Sequence, residues 1–127
     1  MKRVVITGLG TINSTGHSVN ESFDAVVNGV CGIDKITLFD TTDFSVQIAG
    51  EVKNFDPETV MDKKEVKKAD RFIQLGIKAA LEAMIDSGFV TSENKKVDDS
   101  IANRFGIISG SGIGGLSTIQ KNSTICD

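Results

Sequence analysis

The sequence is poor in the side chains that build most catalytic and metal centres. Its 127 residues include one histidine, His17, and two cysteines, Cys31 and Cys126, whose separation fits no C-x-x-C motif. A zinc site needs clustered Cys or His ligands, and a catalytic nucleophile usually needs a base beside it. We therefore predict no metal site, no cofactor and no catalytic residue in this chain, and we expect reduced thiols.

None of these three side chains lies in a sequence context that favours chemistry. His17 follows a run of small polar residues, which predicts a solvated loop side chain. Cys31 has no basic neighbour to activate its thiol, so we expect a small, buried or half-buried apolar residue. Cys126 is followed directly by an acidic residue and is an even weaker candidate.

Long apolar runs and an overall positive charge are also missing. No stretch approaches the ~20 apolar residues that cross a membrane, and Val4-Val5-Ile6 is shorter than a signal-peptide core of ~7–15 residues. We therefore expect a cytoplasmic protein that does not bind membranes. The formal net charge of −3 argues against nucleic-acid binding, which is typical of broadly basic domains.

The sequence does contain alternating strand and helix patterns. Three short apolar segments predict strands, the first and last of them largely buried: 2–7, 46–52 and 105–109. The capping box Ser18-x-x-Glu21 predicts the start of a helix that Gly29 ends, and another helix is expected from Leu116. Pro57 suits the first position of a short helical turn. This alternation favours an α/β layered domain.

The longest predicted helix covers residues 69–87. Ten apolar side chains between Phe72 and Ile85 surround almost its whole circumference, which indicates a buried helix. Three short strands and two or three other helices offer too little material to cover it. We therefore expect residues 1–127 to be the first part of a larger domain.

A glycine-rich turn, Gly110-Ser-Gly-Ile-Gly-Gly115, matches the pattern G-x-G-x-x-G after a predicted strand and before a predicted helix. In a dinucleotide-binding domain, such a turn holds phosphate on backbone N–H groups at a helix N-terminus. The alternative is a tight turn where the backbone passes close to another chain or to a ligand. The alternative is favoured, because the first predicted strand lacks the full pattern.

Positive charge is concentrated in one segment. Residues 62–71 hold five basic and three acidic side chains, although the whole chain is acidic. Lys64, Lys67, Lys68 and Arg71 are spaced i, i+3, i+4 and i+7, so on one helix they would form a basic ridge. A solvated helix face is one interpretation, and a surface that attracts an acidic partner is the other.

Four strings of residues, in order, resemble the β-ketoacyl-acyl-carrier-protein synthases. They are Arg3-Val-Val-Ile-Thr-Gly-Leu-Gly10, Lys64-Glu-Val-Lys-Lys-Ala-Asp70 with Phe72-Ile-Gln74, Ala83-Met84 with Asp86-Ser-Gly88, and Gly110-Ser-Gly-Ile-Gly-Gly-Leu116. The resemblance covers essentially the whole chain. One departure is Asn13-Ser-Thr-Gly16, where members of the family often have a Ser-Pro pair.

The resemblance implies the N-terminal part of a thiolase-like fold, which is layered α-β-α-β-α, and a homodimer at full length. It also implies an enzyme that takes an acyl chain from acyl carrier protein and condenses it with malonyl carrier protein, releasing carbon dioxide. The nucleophilic cysteine and two histidines of that reaction are expected beyond residue 127, so this chain alone is expected to be inactive.

The resemblance further assigns two sites within the chain. Ile113 matches an isoleucine that borders the acyl pocket. Lys64, Lys67 and Lys68 match the basic residues that dock the carrier protein, whereas Arg71 has no such match. Two other interpretations are a small, complete nucleotide-binding α/β module and a carrier-protein-interacting module without acyl chemistry.

Overall fold

A computed structural model describes residues 2–125. In chain order the regular elements of this part are α1 (Val19–Val27), β1 (Asp34–Lys35), β2 (Ile48–Ala49), a 3-10 turn (Pro57–Thr59), α2 (Lys63–Val66), α3 (Arg71–Asp86), α4 (Asp99–Ala102) and α5 (Leu116–Ile125). This mixture of helix and sheet is consistent with the α/β class. None of the helices in residues 2–125 is long and apolar enough to cross a membrane.

The helices follow the local signals in the sequence. The prediction of α1 is confirmed: Ser18 Oγ accepts a hydrogen bond from the Glu21 N–H at 3.2 Å. The Glu21 carboxylate accepts from the N–H of His17 at 2.7 Å, one residue earlier than a capping box predicts. Pro57 occupies the first turn of the 3-10 element, also as predicted.

The helices α3 and α5 are also confirmed, although α3 is shorter than the predicted 69–87. It begins at Arg71 because Asp70 has extended backbone angles, and it ends before Gly88, whose φ is +76°. A further short helix, α4, was not predicted from the sequence. Asp98 caps it by accepting a hydrogen bond from the Ser100 N–H at 2.8 Å.

The predicted strands are mostly wrong. Residues 2–7 and 105–109 belong to no strand, and side chains expected to be buried are open to solvent, with Val4 96% and Ile108 102% exposed. Of the predicted strand 46–52, only β2 is formed, and it pairs antiparallel with β1. A strand needs a partner for its backbone groups, and residues 2–125 provide none for the first and last predicted strands.

Two glycines allow residues 8–10 to lie directly against α3. A Cβ atom at Gly10 would overlap the carbonyl oxygen of Ala79 and stand 2.7 Å from the Ala83 nitrogen. At Gly8 a Cβ would stand 2.6 Å from the Ser87 nitrogen. These obstacles are backbone atoms, which cannot rotate away. The segment can therefore approach α3 this closely only because positions 8 and 10 carry no side chain.

Carboxylates of α3 hold the same segment by its backbone. The Glu82 carboxylate accepts hydrogen bonds from the N–H groups of Thr11 at 3.1 Å and Val19 at 2.8 Å. Asp86 accepts one from the Leu9 N–H at 2.9 Å. Because Val19 is the first residue of α1, Glu82 also satisfies one of the N–H groups that a helix leaves unpaired at its start.

The prediction that the long apolar helix is buried is wrong for this part of the chain. No residue of α3 is buried, and among residues 2–125 only Val90 and Ser22 are. The accessible surface is 10404 Å². A compact protein of this mass exposes about 6,500 Å². A large apolar surface is therefore uncovered.

The contact of Gly10 with α3 can be tested by one pair of alanine substitutions. Gly10→Ala should displace residues 8–10 and increase the exchange rate of the α3 amide hydrogens by roughly tenfold or more. Gly76→Ala is the matched control, because a Cβ there meets nothing within 4 Å and alanine favours a helix by about 1 kcal/mol. Hydrogen exchange at low protein concentration should show slower exchange in that control. Equal effects of both substitutions would contradict the packing described.

The exposed apolar surface predicts the behaviour of the isolated chain. Each Å² of apolar surface left exposed costs about 25 cal/mol. A few hundred Å² is therefore comparable with the free energy of unfolding of a small domain. The unpaired segments 2–7 and 105–109 add edges that can pair between copies. We expect size-exclusion chromatography to show associated species and heating to show no sharp transition. A sharp monomeric peak with a cooperative melt at high temperature would contradict this expectation.

Candidate functional site

The predicted lysine cluster is exposed but does not lie on one continuous helix. Lys64 lies in α2, which ends at Val66, whereas Lys67 caps that helix and Lys68 lies in the following turn. The interpretation of residues 62–71 as one helical ridge is therefore wrong. We call the segment 63–68 the basic segment. None of the ion pairs found within residues 2–125 involves Lys64, Lys67 or Lys68.

Local hydrogen bonds fix the backbone of the basic segment. The Asp62 N–H donates to the Glu65 carboxylate at 3.4 Å, a helix-start pattern that the sequence analysis missed. The Gln74 side-chain amide donates to the carbonyls of Val66 at 3.3 Å and Ala69 at 2.9 Å. Because Gln74 belongs to α3, these bonds attach the turn after α2 to the first turns of α3.

Arg71 differs from the three lysines. Its guanidinium lies 5.0 Å from the centre of the Phe55 ring, and Nη2 donates to the Val52 carbonyl at 3.2 Å. A guanidinium over an aromatic ring is a favourable cation–π contact. Arg71 therefore joins the start of α3 to residues 52–55, and it is less free than the lysines to meet a partner.

His17 is not the solvated loop residue that the sequence predicted. Its ring is half-buried, and Nε2 lies 2.8 Å from the Lys53 carbonyl. The Phe55 ring meets it edge to face, with 6.1 Å between ring centres. No sequence signal connects residues 17 and 53, because the contact depends on the path of the chain between them.

The two cysteine predictions have different outcomes. Cys31 is exposed, not half-buried, and its thiol lies 3.8 Å from the Ile33 carbonyl oxygen. The prediction of its burial is wrong because residues 30–33 run along the surface after α1. Cys126 lies outside the described residues. Within residues 2–125, no cluster of His, Cys, Asp and Glu has the geometry to hold a metal ion.

Carboxylates around residues 34–53 are stabilised in their charged form. The side chain of Thr37 donates to Glu51 at 2.7 Å and its N–H at 2.9 Å, and these hydrogen bonds lower the pKa of Glu51. Asp34 pairs with Lys53 at 2.8 Å, which lowers the pKa of Asp34 and raises that of Lys53. Asp34, Thr37 and Lys53 are exposed and Glu51 is half-buried, and these contacts organise the loop without forming a reactive centre.

The glycine-rich segment 110–115 lies beside the start of α3. Gly114 has a φ of +73°, and a Cβ there would stand 3.1 Å from the ring of Phe72. A Cβ at Gly115 would overlap the carboxylate of Asp70. Ile113, directly before these glycines, is 73% exposed, so residues 2–125 enclose no pocket around it.

This arrangement argues against a phosphate-binding turn. The residues before the glycines form no strand, and the start of α5 faces the Asp70 carboxylate, which accepts a hydrogen bond from Thr118 Oγ1 at 2.7 Å. A carboxylate is itself a favourable partner for a helix N-terminus, and a second anion there would be repelled. The observed geometry favours the tight-turn interpretation of Gly110–Gly115.

Comparison with known proteins now decides the family. A family model described as the N-terminal domain of β-ketoacyl synthases matches residues 1–125. The chain belongs to the β-ketoacyl synthase family. The resemblance found in the four sequence strings is thereby confirmed, and the fold of this family is thiolase-like.

Individual synthases are similar along almost the whole chain. Proteins named 3-oxoacyl-[acyl-carrier-protein] synthase 2 from Staphylococcus aureus strain N315 and Vibrio cholerae are each 45% identical over 119 residues, which is 94% of this chain. The protein of that name from Coxiella burnetii is 41% identical over 121 residues. The chain spans 27–28% of the length of these relatives.

Proposed function

We propose that this chain is the N-terminal part of a 3-oxoacyl-acyl-carrier-protein synthase. The proposed enzyme takes an acyl group from acyl carrier protein and condenses it with malonyl carrier protein, releasing carbon dioxide, in fatty acid elongation. The observation that carries the proposal is 41–45% identity to synthases over 94–95% of the chain. The nucleotide-binding alternative is not favoured, because Asp70 faces the helix start that would hold phosphate.

The uncovered surface supports the further proposal that residues 1–127 are one portion of the first thiolase-like half. Within residues 2–125 α3 has no buried residue, and the segments 2–7 and 105–109 have no strand partners. A layered α-β-α-β-α fold would cover α3 and pair both segments with further strands. The proposal retains a homodimer and the cytoplasmic location expected from the sequence.

Catalysis itself is assigned to residues that this chain does not contain. The family resemblance implies that a nucleophilic cysteine and two histidines lie beyond residue 127, and within residues 2–125 neither Cys31 nor His17 has a partner that would activate it. Cys31 contacts a backbone carbonyl, and His17 is held by Lys53 and Phe55. The contribution of this chain is then to dock the carrier protein and to border the acyl pocket.

The basic segment supports carrier docking through its charge and its fixed backbone. Lys64, Lys67 and Lys68 are exposed, while hydrogen bonds hold the turn that carries them. Charges at the rim of an interface mainly increase the association rate and set the orientation of the partner. An acidic carrier surface fits these requirements, and Arg71 is less available for docking because it contacts Val52 and Phe55.

The first test asks whether the chain alone is inactive. The purified 127-residue chain is incubated with acyl and malonyl forms of the carrier protein, and elongated product is measured by mass spectrometry. We expect no turnover above a heat-treated sample, because no nucleophile and base are adjacent within the described residues 2–125. Turnover by a preparation free of other synthases would contradict the assignment of catalysis to residues outside the chain.

The second test uses the extended protein, by which we mean this chain continued to the length of its relatives. Changing Lys64, Lys67 and Lys68 together to Glu should raise the KM for acyl carrier protein roughly three- to a hundredfold, since each exposed pair contributes ~0.2–1 kcal/mol. The effect should weaken with salt. A small acyl thioester should be used with nearly unchanged kcat/KM.

The matched control changes Lys35, Lys96 and Lys121 to Glu. All three are exposed and lie outside the basic segment, so the net charge changes equally while the proposed docking surface remains intact. We expect a much smaller rise in KM for this control. Equal effects of the two triple variants, or equal loss on carrier-bound and small thioesters, would rule out docking by the basic segment.

The third test concerns Ile113 as a border of the acyl pocket. In the extended protein, Ile113→Phe should lower kcat/KM for long acyl chains by roughly tenfold and spare short ones, because added side-chain volume costs about 1–3 kcal/mol in a filled site. Ile113→Val is the control and should not shorten the accepted chain. A lower melting temperature with unchanged chain-length preference would mean that Ile113 only packs the core.

A further inference from the structure

Asp70 connects two parts of the candidate site that are far apart in sequence. It occupies the N-cap position of α3, but its carboxylate makes no capping hydrogen bond to that helix. The carboxylate accepts a hydrogen bond from Thr118 Oγ1 in α5 at 2.7 Å instead. A side chain that ordinarily closes its own helix is here directed to a helix 48 residues further along the chain.

The same turn of α3 contacts the glycines that follow Ile113. The Asp70 carboxylate lies where a Cβ at Gly115 would stand, and the Phe72 ring lies 3.1 Å from a Cβ placed at Gly114. A Cβ at Gly115 would require the Asp70 carboxylate to move, and a Cβ at Gly114 would require a small shift of the Phe72 ring as well as a strained backbone, since the φ of Gly114 is +73°. The backbone directly after Ile113 is therefore positioned by Asp70 and Phe72.

On its other side, Asp70 adjoins the basic segment. The Gln74 amide, one turn further along α3, binds the carbonyls of Val66 and Ala69, on either side of Lys67 and Lys68. The backbone of the docking lysines and the backbone after Ile113 are thus both fixed to the first two turns of α3. The Asp70 side chain connects α3 to the segment after Ile113, because its carboxylate accepts a hydrogen bond from Thr118.

We propose that Asp70, through Thr118, is a positioning residue that fixes the Ile113 segment relative to the docking lysines. This inference rests on the proposed function. An acyl chain attached to a carrier protein docked on the lysines must enter the pocket that Ile113 borders. The separation of the two surfaces then determines how well a long chain is placed, whereas docking itself depends only on the lysines.

The test removes the hydroxyl of Thr118 in the extended protein. Thr118→Val keeps the shape and loses the donor, while Thr118→Ser keeps the donor. Thr124→Val is the matched control, because Thr124 lies in the same helix and its hydroxyl donates to the Gln120 carbonyl of that helix at 2.8 Å. Each variant is assayed with carrier proteins that hold a short or a long acyl chain and with a small acyl thioester. Its thermal melting temperature is also measured.

For Thr118→Val we expect kcat to fall roughly three- to tenfold with carrier proteins that hold long acyl chains, as for the loss of one typical hydrogen bond. The KM for the carrier should change less than twofold, and the small thioester should be unaffected. Thr118→Ser should restore kcat. Asp70→Asn, combined with Thr118→Val in a double-mutant cycle, should show that the two effects are not additive.

An equal loss of kcat with every substrate, together with a lower melting temperature, would overturn the proposal. Loss of a hydrogen bond that only stabilises the fold would have that effect. An effect of Thr124→Val equal to that of Thr118→Val would also overturn it. A different result would contradict the proposed docking function. In that case charge reversal of the lysines leaves the KM for the carrier unchanged, whatever the Thr118 variants show.

Discussion

The close packing of residues 8–19 on α3 is the contact on which the rest of the described structure depends. Gly8 and Gly10 let the backbone touch the helix, and Glu82 then binds the N–H groups of Thr11 and Val19. One helix thereby fixes the start of α1 and the loop that contains His17. A side chain at position 8 or 10 would separate these parts, because the obstacles are helix backbone atoms.

The opposite end of α3 organises the candidate site in the same manner. Its first turns hold the basic segment through Gln74, residues 52–55 through Arg71, and the start of α5 through Asp70. The lysines are left exposed while their backbone is fixed. The proposed docking surface would therefore keep its orientation while its charges stay available, which is what a transient partner requires.

The sequence predicted helices better than it predicted strand pairing and contacts between distant residues. Helices form hydrogen bonds between residues four apart, so Ser18 and Gly29 were sufficient to place α1. The segments 2–7 and 105–109 have strand composition, but a strand forms only with a distant partner, and none lies within residues 2–125. The lysine spacing suggested one helix, yet Asp70 starts a new one. The contacts of His17 and Asp70 were invisible because they join residues 36 and 48 positions apart.

The central claim is that the basic segment meets the carrier protein, and crosslinking from defined positions tests it most directly. A photoreactive residue replaces Lys67 in the extended protein, or replaces Lys35 as the control, and each is illuminated with acyl carrier protein. The account predicts a covalent adduct from position 67 that decreases at about 1 M salt, where the Debye length is ~3 Å. Equal yields from both positions, or no adduct from position 67, would contradict it.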